Sequence, residues 1–155
     1  MGNFWCSYTG ETTTTAVRTV IRIIASAEGK SFEVYESGHY GDGHTAPADI
    51  QHEIRAAFAT NGGVGAGSTS VTPEPLATGT APALCTSAVT FTTEPTTYTT
   101  NVLTLMSFNQ RGGLRWAVPI GQGYRTHGAA TNKDFGLLVI SSSAGTVNGN
   151  AFWAE

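Results

Sequence analysis

The densest group of titratable side chains in the sequence lies in the run GHYGDGHTAPADIQHE, which carries His39, Asp42, His44, Asp49, His52 and Glu53. Imidazoles and carboxylates gathered in this way are the usual ligands of a divalent metal. The pair His52-Glu53 opens like the zinc motif HExxH, but the fourth residue after His52 is Ala56, so the second histidine ligand is missing. His39 and His44 stand five apart in a glycine-rich run, a spacing that permits metal binding without specifying it. Solvated loop histidines are the plainer reading, and no metal site is expected.

GGVGAG at 62–67 has the glycines of a phosphate-cradling loop, but it lacks the GKS or GKT ending and runs into a proline-rich stretch instead of a helix. Ser37 and the serines at 141–143 lie in no GxSxG turn. Cys6 and Cys85 have neither CxxC spacing nor the family context of a nucleophile. Two carboxylates for glycoside cleavage could come from Glu33, Glu36, Glu53, Glu74 and Glu94, whose pairing depends on a separation set by the fold; a solvated sheet face accounts for them. Tyr8, Tyr35, Tyr40, Tyr98 and Tyr124, with Trp5, Trp116 and Trp153, could line a sugar-binding face, although strand spacing assigns most of them to a core or a subunit contact. The expectation is a protein without catalytic residues, cofactor or metal.

Composition points the same way. Charged residues make up 12% of the 155, against about 25% in an average globular protein, and Thr, Ser, Gly and Ala fill the difference. Lysine occurs only at Lys30 and Lys133, the arginines are scattered from Arg18 to Arg125, and the net charge is −3. No basic stripe is available for a phosphate backbone, so no nucleic-acid partner is expected. No run approaches the ~18 apolar residues of a membrane span, and the opening MGNFWCSYTGE lacks the features of an export signal, so no membrane partner is expected either. A myristoylation pattern would need Ser or Thr where Cys6 stands. Two cysteines in such a chain are expected to be reduced and buried.

The length suits a single domain spanning 1–155, large enough to fold around its own core without staples. Short runs rich in Val, Ile, Phe and Thr alternate with Gly, Pro, Asn and Ser clusters, the pattern of strands joined by turns. Strands are expected at 3–8, 16–25, 31–36, 50–60, 88–93, 101–109, 114–118, 135–141 and 147–153. They suit an all-β, antiparallel two-sheet sandwich of jelly-roll type. Residues 50–58 also fit helical spacing, but the surrounding pattern favours a strand. Alternation puts Val17, Thr19, Ile21 and Ile23 toward the core, likewise Leu114, Trp116 and Val118, then Phe135, Leu137 and Val139, and finally Val147, Ala151 and Trp153. Glycine-bearing connections at 27–30 and 111–113 predict antiparallel hairpins.

Three long loops are expected at 38–48, 61–83 and 120–134, and loops of that length are uncommon unless they bind or cover something. The middle one, rich in glycine and proline, reads as an extended arm for contacts between subunits. Val64, Val71 and Leu76, with Pro73, Pro75 and Pro82, supply it with apolar area.

Further features are the short opening strand after Met1-Gly2, the stretch from Glu33 to Asp42 ending in a Gly-Asp-Gly loop, and a strand at 52–60 passing into a glycine-rich loop. That loop closes on Thr72-Pro73-Glu74-Pro75-Leu76, and Trp116 with Pro119 and a final strand ending at Phe152 to Glu155 follow. Over nearly its full length the chain resembles small bacteriophage virion proteins, of the kind found among head-associated and decoration proteins. The resemblance implies a β-sandwich or jelly roll, a homotrimer, the major capsid protein as partner, and a place on the capsid surface after synthesis in the host cytoplasm. The GHYGDGH loop and the threonine-rich stretch 86–100 depart from the pattern. A phage fibre or adhesin-type carbohydrate-binding module is the alternative expectation.

Overall fold

The computed structural model describes residues 2–25, 31–41, 49–60, 65–100, 102–126 and 132–155. In chain order the strands are β1 (Asn3–Thr13), β2 (Arg18–Ala25), β3 (Glu33–Gly41), β4 (Gln51–Thr60), β5 (Thr69–Val71) and β6 (Glu74–Pro75). They continue with β7 (Cys85–Val89), β8 (Thr104–Asn109), β9 (Gly113–Ala117), β10 (Tyr124–Arg125), β11 (Asn132–Ser141) and β12 (Gly145–Ala154). No helix occurs among the described residues. Each expected run overlaps a strand, residues 50–58 included: β4 pairs with β11 on one edge and β8 on the other. The short β5, β6 and β10 lie inside expected loops.

The first sheet runs β10-β3-β12-β1-β6, with β9 pairing the same edge of β3 as β10; the second runs β5-β7-β2-β11-β4-β8. Every ladder is antiparallel. Without the short additions the orders are β9-β3-β12-β1 and β2-β11-β4-β8, which is jelly-roll connectivity.

Because of this connectivity, neither expected hairpin forms a ladder. Asn109 accepts the Gly112 amide at 2.9 Å in a tight turn, but β8 belongs to the second sheet and β9 to the first. The turn at 27–30 lies outside the described residues, and the strands it joins, β2 and β3, also sit in different sheets. A glycine turn reverses the chain; the partner is decided by where each strand can bury its apolar face.

Phe4, Tyr8, Ala151 and Trp153 from the first sheet meet Ile21, Ile23, Ile54, Phe135, Leu137 and Val139 from the second. The faces expected for β11 and β12 are therefore correct. Along β2 the alternation breaks, because Leu137 pairs with Ile21 but Leu138 with Thr19, leaving Val20 as the extra residue of a bulge. Val20 turns into the core, and Val17, expected inside, is 38% exposed.

The outer face of the second sheet is covered by the chain's own residues 90–100, 102 and 103. This strap runs beside the end of β4 through Thr60 N–H to Thr97 O (3.1 Å), Thr99 N–H to Phe58 O (2.8 Å) and Leu103 N–H to Ala56 O (2.7 Å). Arg18 and Glu94 tie it to β2 with a 2.8 Å ion pair. Tyr98 then lies over Gly136, where a Cβ would sit 2.3 Å from the ring, and over the Arg22 guanidinium at 5.8 Å. Arg22 and Asp134 form a 2.6 Å ion pair beneath it, with both side chains 0% exposed.

Candidate functional site

The strands pull apart the titratable cluster of the sequence. His39 faces the interior from β3, where its Nδ1 lies 2.6 Å from the Tyr8 hydroxyl and its Nε2 lies 3.2 Å from Ser37 Oγ. His52 faces the interior from β4, 2.7 Å from Ser141 Oγ and against the Phe108 ring. Burial holds the His39 imidazole neutral by lowering its pKa to about 3, and lowers that of His52 as well. His39, expected in a solvated loop, lies on a strand, and His52 lies on the strand expected for it; alternation carries both inward, so neither is solvated. Glu53 points outward to Arg55 at 2.6 Å, and Asp49 lies 3.4 Å from Arg111; Asp42 and His44 lie outside the described residues. Among the described residues no three potential ligands gather as a metal site.

The remaining polar candidates hold the fold. Cys6 and Cys85 are buried, unpaired thiols, and burial pushes the Cys6 pKa up to about 12. Glu33 accepts the amides of Gly121 (2.6 Å) and Gly123 (2.7 Å) and the Arg125 guanidinium (2.8 Å), pinning β10 to β3. Glu11 accepts the Thr90 hydroxyl where the strap leaves β7, and Glu94 receives the Thr19 amide at 2.7 Å.

Residues 65–83 of the expected arm fold back onto their own chain; 61–64 lie outside the described residues. Ala66 bridges to Thr93, β5 extends the second sheet beside β7, and β6 extends the first beside β1. The Glu155 carboxylate fastens the far end, accepting the Leu84 and Cys85 amides at 2.6 and 2.9 Å and the Trp153 indole at 3.0 Å. The segment is thus held to its own sandwich by backbone pairing, while none of its side chains is fully buried.

The aromatic residues fall into two sets. Tyr8 and Trp153 are core, and Tyr98 belongs to the strap. Trp116 is half-buried and stacks on Tyr124 at 4.6 Å, which stacks on Phe135 at 5.7 Å. Trp5 and Tyr40 instead face outward from the first sheet. Residues directly opposite share a face, so Ala117, Glu36, Phe152, Trp5 and Glu74 form one row across β9, β3, β12, β1 and β6. In that row Trp5 and Phe152 stack with ring centroids 6.3 Å apart, and Arg115 of the next row pairs with Glu36 at 2.7 Å. Tyr40, 46% exposed, lies flat against β9 because Gly113 has no Cβ, which would stand 2.7 Å from the ring. Phe152 and Arg115 were missed as site residues; the alternation that puts Trp153 inside already puts Phe152 outside.

The arrangement is an outward sheet face carrying stacked rings, the Asn150 amide and the Arg115–Glu36 ion pair. A scan against protein-family models finds no match, nor does a search of curated proteins. Solved structures give distant likenesses. The structure of infectious bursal disease virus, Gx strain, matches at 12% identity and a TM-score of 0.27, over 97% of this chain and 29% of the viral one. A VP2 subviral particle of the same virus matches at 13% identity and a TM-score of 0.16, over 97% and 38%. The chain thus spans well under half the length of the viral chains it matches.

Proposed function

We propose that this chain is a non-enzymatic structural protein of a virus particle, a decoration or cement protein that sits on a bacteriophage head as a homo-oligomer and binds the major capsid protein. The observation that carries the reading is the outer face of the first sheet, where half-buried Trp5 and Phe152 stack beside exposed Tyr40 and Arg115. Aromatic residues and arginine are the types enriched at protein interfaces, and rings already held against a sheet lose little freedom on binding. A subunit that bridges its neighbours buries this area only in the assembled shell, so it stabilises the particle by mass action.

The reading is tested by titrating capsids that lack the protein with the wild-type chain and with Trp5→Ala. Saturable uptake is expected, weakened about tenfold or more by the substitution, as for a central interface aromatic. Capsids that take up none of the wild-type chain overturn it. The same stacked rings, flanked by Asn150, also suit the apolar face of a sugar, which keeps the fibre or adhesin reading as the alternative. A glycan-array hit lost in Trp5→Ala, together with no capsid uptake, transfers the site to that reading.

A further inference from the structure

The chain between β4 and β8 closes one side of the jelly roll and leaves the other open. On the closed side β6 adds to β1, while β7 and β5 add to β2, and Pro73 and Pro75 blunt the new edges. On the open side β8 ends the second sheet, and among the described residues no strand pairs its free edge. The Gln110 amide donates to the Ile50 carbonyl at 2.9 Å, whereas the next carbonyl along, that of Gln51, turns the other way and accepts the Ser142 amide. Amides alternate in direction along an antiparallel strand, so those of Leu105 and Ser107 point away from β4.

Natural edge strands are blunted by charge, proline, bulges or a covering element. β8 reads TLMSFN, pairs with β4 without a bulge, and sits in a stretch from Pro95 to Gln110 with no charged residue. Leu105 is 56% exposed on it. Behind the edge, half-buried Met106, Trp116 and Tyr124 line the mouth between the sheets.

We propose that a second copy of this chain pairs antiparallel with the free edge of β8 across a two-fold axis, so that the second sheet runs continuously through the pair. This deepens, and rests on, the reading that the chain works by assembling with itself. Charge selects a copy over a foreign strand. Proteins place charges on edge strands to keep copies of themselves from pairing there, and in a two-fold ladder an edge without charge brings no like charges opposite one another in any register. A foreign partner is ordinarily chosen through opposite charge, which this edge does not offer. The contact builds a dimer in place of the trimer implied by the resemblance.

Light scattering of the purified full chain over a dilution series is expected to give twice the 16.2 kDa of one chain, falling to the single-chain mass on dilution. Leu105→Lys brings a cation from each copy into the paired ladder, and Ser107→Pro removes an outward amide. Each is expected to halve the mass at concentrations where the wild type is paired, with unchanged far-UV circular dichroism. Leu84→Lys, on the closed side, is expected to keep the paired mass. Hydrogen exchange of the wild type reads the same contact without a variant: the Leu105 and Ser107 amides are expected to slow about tenfold or more on pairing. Fast exchange at both amides at every concentration overturns the proposal, as does a monomeric wild type, or an oligomer of any size that survives both edge substitutions. A paired chain that ignores capsids overturns only the decoration reading; a capsid-bound chain with an unpaired edge overturns only this one.

Discussion

Beside β1 and β2 the sandwich is completed by its own chain, and beside β8 and β9, among the described residues, it is not. The excursion 65–103 supplies β5, β6 and β7 to the closed edges and then straps the second sheet, sealing Arg22 and Asp134 from solvent. On the open side the stacked Trp116 and Tyr124 stay half-buried, and the edge strand carries no charge. Where the chain covers itself it can bury an ion pair whose partners are fixed in advance. Along the β8 edge charge is absent and Leu105, Met106 and Trp116 lie at the rim, whereas the ion pairs of this side, Arg115 with Glu36 and Arg125 with Glu33, belong to the first sheet.

The largest test of this contrast lies under the strap. Arg22→Ala leaves Asp134 without its guanidinium in a dry site and is expected to cost about 3–5 kcal/mol in chemical denaturation. Replacing both, Arg22→Met with Asp134→Leu, is expected to restore most of that loss, since an apolar pair of similar volume needs no desolvation. A mild single variant would mean that water reaches the ion pair, and the closed face would not be closed.

The next effect compares two tryptophans on opposite sides. Trp153 is 0% exposed, so Trp153→Ala is expected to cost about 3–5 kcal/mol. Trp116 was expected to be buried; it packs against the core but is only partly buried, and Trp116→Ala is expected to cost about 2 kcal/mol. Equal losses in thermal and denaturant melts would show both sides equally sealed.

The strands themselves were legible in the sequence, because period-two alternation and turn residues are local signals. So were the inner faces of β11 and β12. The face of β2 was legible at Ile21 and Ile23 but not before them, since the bulge at Val20 follows from its register with β11, and nothing in RTVIRIIA marks it. Sheet membership was hidden for the same reason: tight turns look alike whether the chain reverses within a sheet or crosses between sheets. His39 and His52 read as one cluster because thirteen positions separate them in sequence, whereas β3 and β4 carry them into opposite sheets. The covering role of residues 65–83 rests on strands of two and three residues, too short for any pattern.

A pH titration separates the two sides by sign. Burial alone would raise the Glu33 pKa, but Arg125 and the amides of Gly123 and Gly121 outweigh it and hold the carboxyl below the ordinary range. Its contribution is therefore present above the unfolded pKa and lost as pH falls through the folded value. At Glu11, on the closed side, burial wins over the Thr90 hydrogen bond and raises the pKa. That contribution is present below the unfolded pKa and lost as pH rises through the folded one. Denaturation between about pH 3 and 7 should show the wild-type advantage over Glu33→Gln shrinking on acidification, and the wild-type disadvantage against Glu11→Gln growing on alkalinisation. Parallel slopes would mean that both carboxyls sit in the same environment.

The smallest effect lies at the root of the strap. Thr90 has a φ of 55°, a left-handed conformation that is a genuine outlier for a β-branched residue, and it sits where the chain leaves β7 to cross the second sheet. Its hydroxyl donates to Glu11, so the residue combines backbone strain with a side-chain anchor. Thr90→Gly relieves a strain of about 1 kcal/mol and loses a hydrogen bond of similar worth, so its stability is expected within about 1 kcal/mol of wild type. Thr90→Val keeps the strain and loses the anchor, and is expected to fall below Thr90→Gly by about 1 kcal/mol. Paired denaturation curves decide it. If glycine is no better than valine, the left-handed turn costs nothing here, and threonine stands at position 90 for its hydroxyl alone.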